Sequence, residues 1–158
     1  MMGDYSAIEW TDRELGWLEG LIDSEGAFTI SKQINRPHKY RDGRTWKVRL
    51  AIGNTNYPFL EHAQELIGGC IFRKSRGKRV GNWKPCYELQ VYSTDLRRLL
   101  PKIELIVKEG QRSLVLEMLD ILQRRKGAVI RFHPESDHGT SRLRQIETQM
   151  KVLNHRGL

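Results

Sequence analysis

The sequence predicts an α+β fold in which a four-stranded antiparallel sheet carries its helices on one face. Two observations support this prediction. Segments with apolar residues at helical spacing are separated by pairs of segments in which apolar and polar residues alternate. Strands that come in pairs between helices are typical of an antiparallel sheet covered on one side. The predicted order is α-β-β-α-β-β-α, followed by a helical C-terminal tail.

Length and composition predict one globular domain. The chain has 158 residues, of which 39% are hydrophobic and 29% are charged. No apolar run reaches the roughly 18 residues of a membrane span, and no leader pattern opens the chain, so no membrane partner is expected. Two cysteines are too few for a disulfide framework, which predicts an intracellular reducing compartment, a prokaryotic cytoplasm or an organelle. Because no Gly-rich phosphate loop is present, no nucleotide cofactor is expected.

The first predicted helix spans residues 12–23. Thr11 and Glu14 have the spacing of a capping box, which satisfies two backbone N–H groups at a helix start. Gly26 lies just beyond the segment, where helices commonly end. The apolar residues that recur at helical spacing between these signals are Leu15, Leu18, Leu21 and Ile22.

Two strands are predicted next, at 28–35 and 44–53, because apolar and polar residues alternate in both. The connection between them contains Pro37 and Gly43 and is predicted to be a loop. A helix is then expected at 56–67, followed by two glycines.

The second half of the chain repeats this order. Strands are predicted at 70–76 and 86–92, with Cys70 and Phe72 assigned to the apolar face of the first. A short helix capped by Ser93 or Thr94 is expected to end at Pro101. Further helices are expected at 102–125, with a break at Gly110, and at 141–153, and the end of the chain from Asn154 is expected to fray.

The other face of the predicted sheet is polar. A twisted antiparallel ribbon fits the major groove of B-DNA, where polar side chains distinguish base pairs by hydrogen bonding. A sheet that binds RNA would instead expose stacking aromatic residues, which this face lacks except for Tyr92. A merely solvated face is the alternative. The predicted DNA-contacting residues are Thr29, Ser31, Gln33, Asn35, Lys47, Arg49, Arg73, Ser75, Glu88 and Gln90.

Charge is unevenly distributed along the chain. Lys and Arg number 27 against 19 Asp and Glu, which gives a formal net charge of +8. Residues 1–31 carry a net charge of −6, whereas residues 32–49 and residues 73–84 each carry +6. Two basic blocks favour a polyanionic partner, with the loops 36–44 and 76–84 contacting phosphates. Composition alone equally allows a basic surface that only aids solubility.

The segment Leu18-Glu19-Gly20-Leu21-Ile22-Asp23-Ser24-Glu25-Gly26 resembles the signature of the LAGLIDADG homing endonucleases. Seven of the nine positions match if Glu25 is accepted for the second Asp of the signature. The order of elements is also that of the family. The resemblance therefore covers a core of residues 10–125, implies a saddle-shaped sheet, and leaves 128–158 as a helical extension.

The resemblance implies a metal site at Glu25. Its carboxylate would hold Mg²⁺ (or Mn²⁺), with the backbone carbonyl of Ser24 as a further ligand, although an ordinary acid at a helix end is the alternative. Because Mg²⁺ needs several oxygen ligands and only one motif copy is present, a two-fold homodimer is inferred. Its predicted interface consists of Leu18, Gly20, Leu21 and Asp23. Asp23 is expected first to accept backbone hydrogen bonds, and only second to bind metal.

Two more residues match positions of the family's site. Asn56 aligns with a polar residue that orients the nucleophilic water, although it would equally suit a helix N-cap. Lys108 aligns with an active-site lysine that stabilises phosphate charge or perturbs a water, unless it is simply solvated. The resemblance implies a Mg²⁺-dependent endonuclease that cuts both strands of a long, pseudo-palindromic double-stranded DNA target. The alternative is a DNA-binding protein or RNA-splicing maturase of the same fold that does not cleave.

Overall fold

In the computed structural model, residues 9–34, 44–74, 84–127 and 140–156 are described. Within these ranges the order of elements is α-β-β-α-β-β-α, with two further helices, as the sequence predicted. The elements are α1 (Asp12–Glu25), β1 (Gly26–Ile34), β2 (Arg44–Asn54), α2 (Tyr57–Ile67), β3 (Cys70–Lys74), β4 (Cys86–Tyr92), α3 (Ser93–Leu99), α4 (Glu109–Gly127) and α5 (Thr140–Arg156), with a 3₁₀ turn at Leu100–Lys102.

The four strands form one antiparallel sheet in the order β1-β2-β4-β3. The apolar residues of its two central strands lie on one face, where Val48, Leu50 and Leu89 are fully buried. Helical residues such as Leu18 and Leu96 join them in the same core. The described helices therefore cover one face of the sheet, as predicted, and none of them covers the other, which is called the open face below.

The α1 start was predicted correctly. Thr11 Oγ1 accepts a hydrogen bond from the Glu14 N–H at 3.2 Å, and Glu14 Oε1 accepts one from the Thr11 N–H at 2.9 Å. The helix runs two residues further than predicted and ends at Glu25.

The face of β3 was predicted wrongly. Ile71 lies opposite the buried Leu89 in the register, so it belongs to the core face. Cys70 and Phe72, which were assigned to the core, lie opposite Gln90 and Glu88 on the open face. Both alternating sets of this short strand contain apolar residues, so its own pattern does not fix the register.

The segment before α4 also differs from the prediction. Residues 103–108 are not helical, and Gly110 lies inside the first turn of α4 instead of breaking a helix. The Ile103 and Leu105 side chains are buried, so the apolar spacing here anchors an irregular segment to the core.

The C-terminal helix α5 packs into the core. Its Leu143, Ile146 and Met150 side chains are buried in the same cluster as the sheet. Asn154, predicted to fray, is helical, and its Nδ2 donates a hydrogen bond to the Phe28 carbonyl at 2.9 Å. Among the described residues, no helix combines the length and apolarity of a membrane span.

Candidate functional site

The site is built around the junction of α1 and β1, where helix becomes strand without a connecting loop. The Gly26 N–H donates a hydrogen bond to the Ile22 carbonyl. A Cβ atom at Gly26 would lie 2.7 Å from that same oxygen, so a larger residue cannot occupy this turn unless the backbone shifts. The preceding residue, Glu25, is exposed at the end of the helix.

Asp23 organises the segment that precedes α4. Its carboxylate accepts hydrogen bonds from the backbone N–H groups of Ile106 at 2.7 Å, Val107 at 3.2 Å and Lys108 at 3.0 Å. These groups lead into the N-terminus of α4, where a negative charge is favourable. The first expectation for Asp23, that it accepts backbone hydrogen bonds, is confirmed.

Lys108 lies at the C-terminal end of α1. Its ammonium group donates to the carbonyls of Asp23 at 2.7 Å and Ile22 at 3.1 Å. It therefore adds a partner to backbone oxygens of the last turn of α1, where helical carbonyls run short of intrahelical donors. Burial lowers the pKa of Lys108 below its ordinary value, and the negative charges of Asp23 and Glu25 act against this shift. The chain therefore brings Lys108 within electrostatic reach of Glu25, and the lysine is not simply solvated.

The oxygen donors at this junction suit a hard cation such as Mg²⁺, but one chain supplies few of them. Among the described residues, no group of three or more His, Cys, Asp or Glu side chains could hold a metal. Asp23 directs its carboxylate to backbone N–H groups, which leaves Glu25 as the exposed carboxylate of the motif. The Ser24 side chain is used within α1, where its hydroxyl donates to the Gly20 carbonyl at 2.7 Å.

Asn56 caps α2. Its Oδ1 accepts a hydrogen bond from the Phe59 N–H at 3.2 Å, and its own N–H donates to Asn54 Oδ1 at 2.8 Å. The capping alternative is therefore confirmed, while the water-orienting role stays a prediction. Asn54 was not singled out from the sequence. It ends β2, whose residue Ile52 pairs with Gly26, so Asn54 lies at the same end of the sheet as Glu25.

The open face of the sheet carries most of the predicted DNA-contacting side chains. The strand register places seven of them on this face: Thr29, Ser31, Lys47, Arg49, Glu88, Gln90 and, by backbone pairing, Gln33. The assignment of Arg73 to the open face was wrong. Arg73 lies opposite Tyr87, on the same face of the sheet as Ile71. Asn35, Ser75 and almost all of the basic loops 36–44 and 76–84 lie outside the described residues.

Two further residues of the open face, Phe72 and Lys74, were missed by sequence analysis. Phe72 and Lys74 replace Arg73 on β3, and Phe72 keeps 48% of its surface exposed. Tyr92, the aromatic exception noted from the sequence, is 41% exposed. The face therefore exposes two aromatic side chains instead of one. Phe72 and Lys74 could have been found only by fixing the register of β3 against β4.

The predicted dimer interface needs correction at two positions. Leu18 and Leu21 are buried in the chain's own core, because they lie on the side of α1 that faces the sheet. The opposite side of the helix is open at Gly16 and Gly20, where a Cβ atom would meet none of the described residues within 4 Å. Ile106 and Val107, which Asp23 holds in place, are 92% and 70% exposed.

Comparisons with known proteins identify similar structures. No protein-family model and no curated protein matches the chain. The homing endonuclease I-CvuI, in complex with its target, is similar over 89% of this chain and 82% of its own, with a TM-score of 0.60 and 21% identity. The archaeal intron-encoded homing endonuclease I-Vdi141I, complexed with DNA, is similar over 90% and 84%, with a TM-score of 0.65 and 20% identity.

A longer protein also matches. The LAGLIDADG homing endonuclease I-LtrWI, bound to target DNA, is similar over 90% of this chain but 46% of its own, with a TM-score of 0.64 and 17% identity. The chain thus spans most of two of these proteins and slightly less than half of the third. The motif at the end of α1 and the sheet that follows it therefore belong to a chain with the LAGLIDADG homing endonuclease fold.

Proposed function

We propose that the chain is a site-specific DNA endonuclease that acts as a homodimer and hydrolyses both strands of a long, pseudo-palindromic target with Mg²⁺. The observation that carries this proposal is the position of Glu25. Its exposed carboxylate ends α1 where the open polar face of the sheet begins. A carboxylate able to bind a metal ion therefore lies beside a surface suited to the major groove. This placement favours a protein that cleaves DNA over one that only binds it.

The pairing of two chains follows from the ligand count. One exposed carboxylate per chain is too few for a Mg²⁺ site, whereas a two-fold axis at the open side of α1 would bring two Glu25 side chains together. Gly16 and Gly20 allow another helix to approach closely. The chain is similar to 82% of I-CvuI but to only 46% of the longer I-LtrWI. A chain that corresponds to about half of a larger protein of the same fold supports a unit that acts in pairs.

The residues of this chain have separable roles in the proposed reaction. Glu25 and the Ser24 carbonyl would hold the cation, which when bound supplies Lewis-acid stabilisation of phosphate charge. Lys108, held at the end of α1, places a positive charge beside Glu25 where negative charge develops on the phosphate. Use of a divalent cation is supported by I-CvuI and I-SmaMI, which were crystallised on their DNA targets with calcium.

Substitution of Glu25 by Gln tests the proposal. A library of random double-stranded DNA is incubated with the wild-type protein and Mg²⁺, and cleaved molecules are sequenced to define the target. On that target, Glu25→Gln is expected to cleave at least about 100-fold more slowly, because an amide is a weak ligand for Mg²⁺. Its binding to the target, measured in Ca²⁺, is expected to stay within about threefold.

Glu65→Gln provides the matched control, because Glu65 is an exposed glutamate of α2. It is expected to cleave like the wild type. Equal cleavage by Glu25→Gln and the wild type would remove Glu25 from the chemistry.

The exposed aromatic residues give the alternative function a specific basis. Phe72 and Tyr92 lie on the open face, where they could stack on the bases of an unpaired RNA strand, as a maturase would require. Competition between the selected DNA duplex and single-stranded RNA of the same sequence separates the two. We expect the duplex to win, and preferential RNA binding without DNA cleavage would favour the alternative.

A further inference from the structure

Gln90 is the only residue with a long side chain in the row of cross-strand neighbours that lie side by side at its level of the open face. Its cross-strand partners are Ala51 on β2 and Cys70 on β3, and Ala27 of β1 lies opposite Ala51. All three partners have short side chains. The amide of Gln90 is thus the one long polar group in this row, and its lateral neighbours leave room for a base edge to approach.

The amide is held along the strand by hydrogen bonds. The Tyr92 hydroxyl donates to Gln90 Oε1 at 2.7 Å, and Gln90 Nε2 donates to Glu88 Oε1 at 2.9 Å. The other oxygen of Glu88 pairs with Lys74 Nζ at 2.7 Å. Four side chains therefore form one continuous chain of polar contacts on the open face.

This chain of contacts fixes which way the amide points. Burial acts to raise the pKa of Glu88, but the hydrogen bonds from Lys74 and Gln90 and the charges of Lys74 and Arg49 outweigh it, so the pKa lies below its ordinary value. Glu88 is therefore ionised at neutral pH and can only accept hydrogen bonds. Gln90 must turn Nε2 toward Glu88, which leaves Oε1 for the Tyr92 hydroxyl.

The held amide keeps one N–H and one oxygen lone pair beyond those that its two neighbours use. Adenine presents the complementary pair in the major groove, an N7 acceptor beside an N6 amino donor. Guanine presents two acceptors, N7 and O6, and its O6 would face Gln90 Oε1 without a proton between them. The amide thus matches adenine and disfavours guanine.

We propose that Gln90 recognises one adenine in the major groove of each DNA half-site, with Tyr92 and Glu88 as positioning residues that hold its amide in the required orientation. This inference rests on the proposed DNA-binding function. It adds the identity of one base and the side chain that selects it.

The first test uses a modified base. In the target selected by the wild-type protein, each adenine is replaced in turn by 7-deazaadenine, which keeps base pairing but lacks the N7 acceptor. At one symmetric pair of positions, wild-type binding is expected to fall by about 5- to 150-fold. Gln90→Ala should bind the two forms of that position equally, and it should lose its preference for adenine over guanine there while keeping its preferences elsewhere.

The second test addresses the positioning residues. Tyr92→Phe removes the hydroxyl bond to Gln90 and is expected to lower the adenine-to-guanine preference at that position by about 2- to 10-fold, with the melting temperature unchanged. Cys70→Ala is the control, because Cys70 lies in the same row and makes no part of the chain of contacts. It should keep the wild-type preference.

The outcomes separate this inference from the proposed function. A wild-type protein that binds no DNA duplex would overturn both. A protein that binds and cuts a defined target, in which no adenine depends on N7 through Gln90, would overturn the inference alone. An unchanged preference in Tyr92→Phe would overturn the positioning role.

Discussion

At the scale of single residues, the acid that defines the motif works on its own chain. Asp23 binds three successive backbone N–H groups that come from 83 to 85 positions further along the sequence. This one side chain fixes the end of α1 against the start of α4, and it holds the backbone of Lys108, whose ammonium group lies within electrostatic reach of Glu25. Asp23 and Glu25 thus have different roles, because the Asp23 carboxylate accepts backbone hydrogen bonds whereas Glu25 is exposed.

Asp23→Asn is expected to lower the free energy of unfolding by about 2–3 kcal/mol, because the amide group would point a donor at backbone donors. Chemical denaturation, followed by circular dichroism, measures this change. The control is Asp120→Asn, since Asp120 pairs with Arg124 at an exposed site and should contribute less than about 0.5 kcal/mol. A loss for Asp23→Asn no larger than that of the control would contradict the structural role.

Site residues could be predicted where the sequence pattern that indicates them lies within one short segment. The capping box of Thr11 and Glu14 and the motif up to Gly26 lie within one segment, and both were predicted from it. Asn56 had two interpretations, a helix N-cap and a residue that orients water, and the structure shows the N-cap contact. The exposure of Ile106 and Val107 follows from the distant Asp23, so no local pattern could indicate it.

At the scale of elements, β3 illustrates why a register is harder to predict than a strand. Five residues were correctly assigned to a strand, but Ile71 and Phe72 compete for the core with similar hydrophobicity. Pairing with β4 decides in favour of Ile71, because Leu89 opposite it is fully buried. The longer strands β1 and β2 had one clearly apolar face each, so the faces of both strands were predicted correctly.

The helix α5 is expected to stabilise the whole fold and not merely to extend it. Ile146 is fully buried in the core, so Ile146→Ala should cost about 2–5 kcal/mol in the free energy of unfolding. Denaturant unfolding of the full chain measures this, with Gln149→Ala on the exposed side of α5 as the control. A small cost with an unchanged denaturation slope would mean that α5 is dispensable for the core.

At the scale of the whole molecule, the open side of α1 is the surface on which the proposed dimer depends. Leu18 and Leu21 pack in the core on the other side of the helix. The side with Gly16 and Gly20 is therefore the one on which a second copy of the chain could pack. The exposed Ile106 and Val107 adjoin the same end of the helix through Asp23.

Gly20→Leu tests this arrangement. Because a Cβ atom at Gly20 would meet no described residue within 4 Å, and glycine is unfavourable inside a helix, the monomer should fold with an unchanged or higher melting temperature. Dimerisation, measured by sedimentation velocity, is expected to weaken by at least about tenfold, and double-strand cleavage should fall with it. Gln149→Leu, at an exposed position of α5, serves as the control for added hydrophobicity.

A dimer that persists in Gly20→Leu with wild-type strength would place the partner elsewhere. A monomeric wild-type protein that still cuts both strands would contradict pairing altogether.

The direct passage from α1 into β1 gives the proposed dimer a mechanical property. Because β1 begins at Gly26, directly after the last residue of α1, no loop separates the helix from the first strand, and the close packing at Gly26 ties the direction of one to that of the other. A change in the angle at which two such helices cross would swing both sheets and alter the number of base pairs between the half-sites. Engineering of target spacing would therefore have to begin at the helix crossing, since no loop between α1 and β1 is available to lengthen.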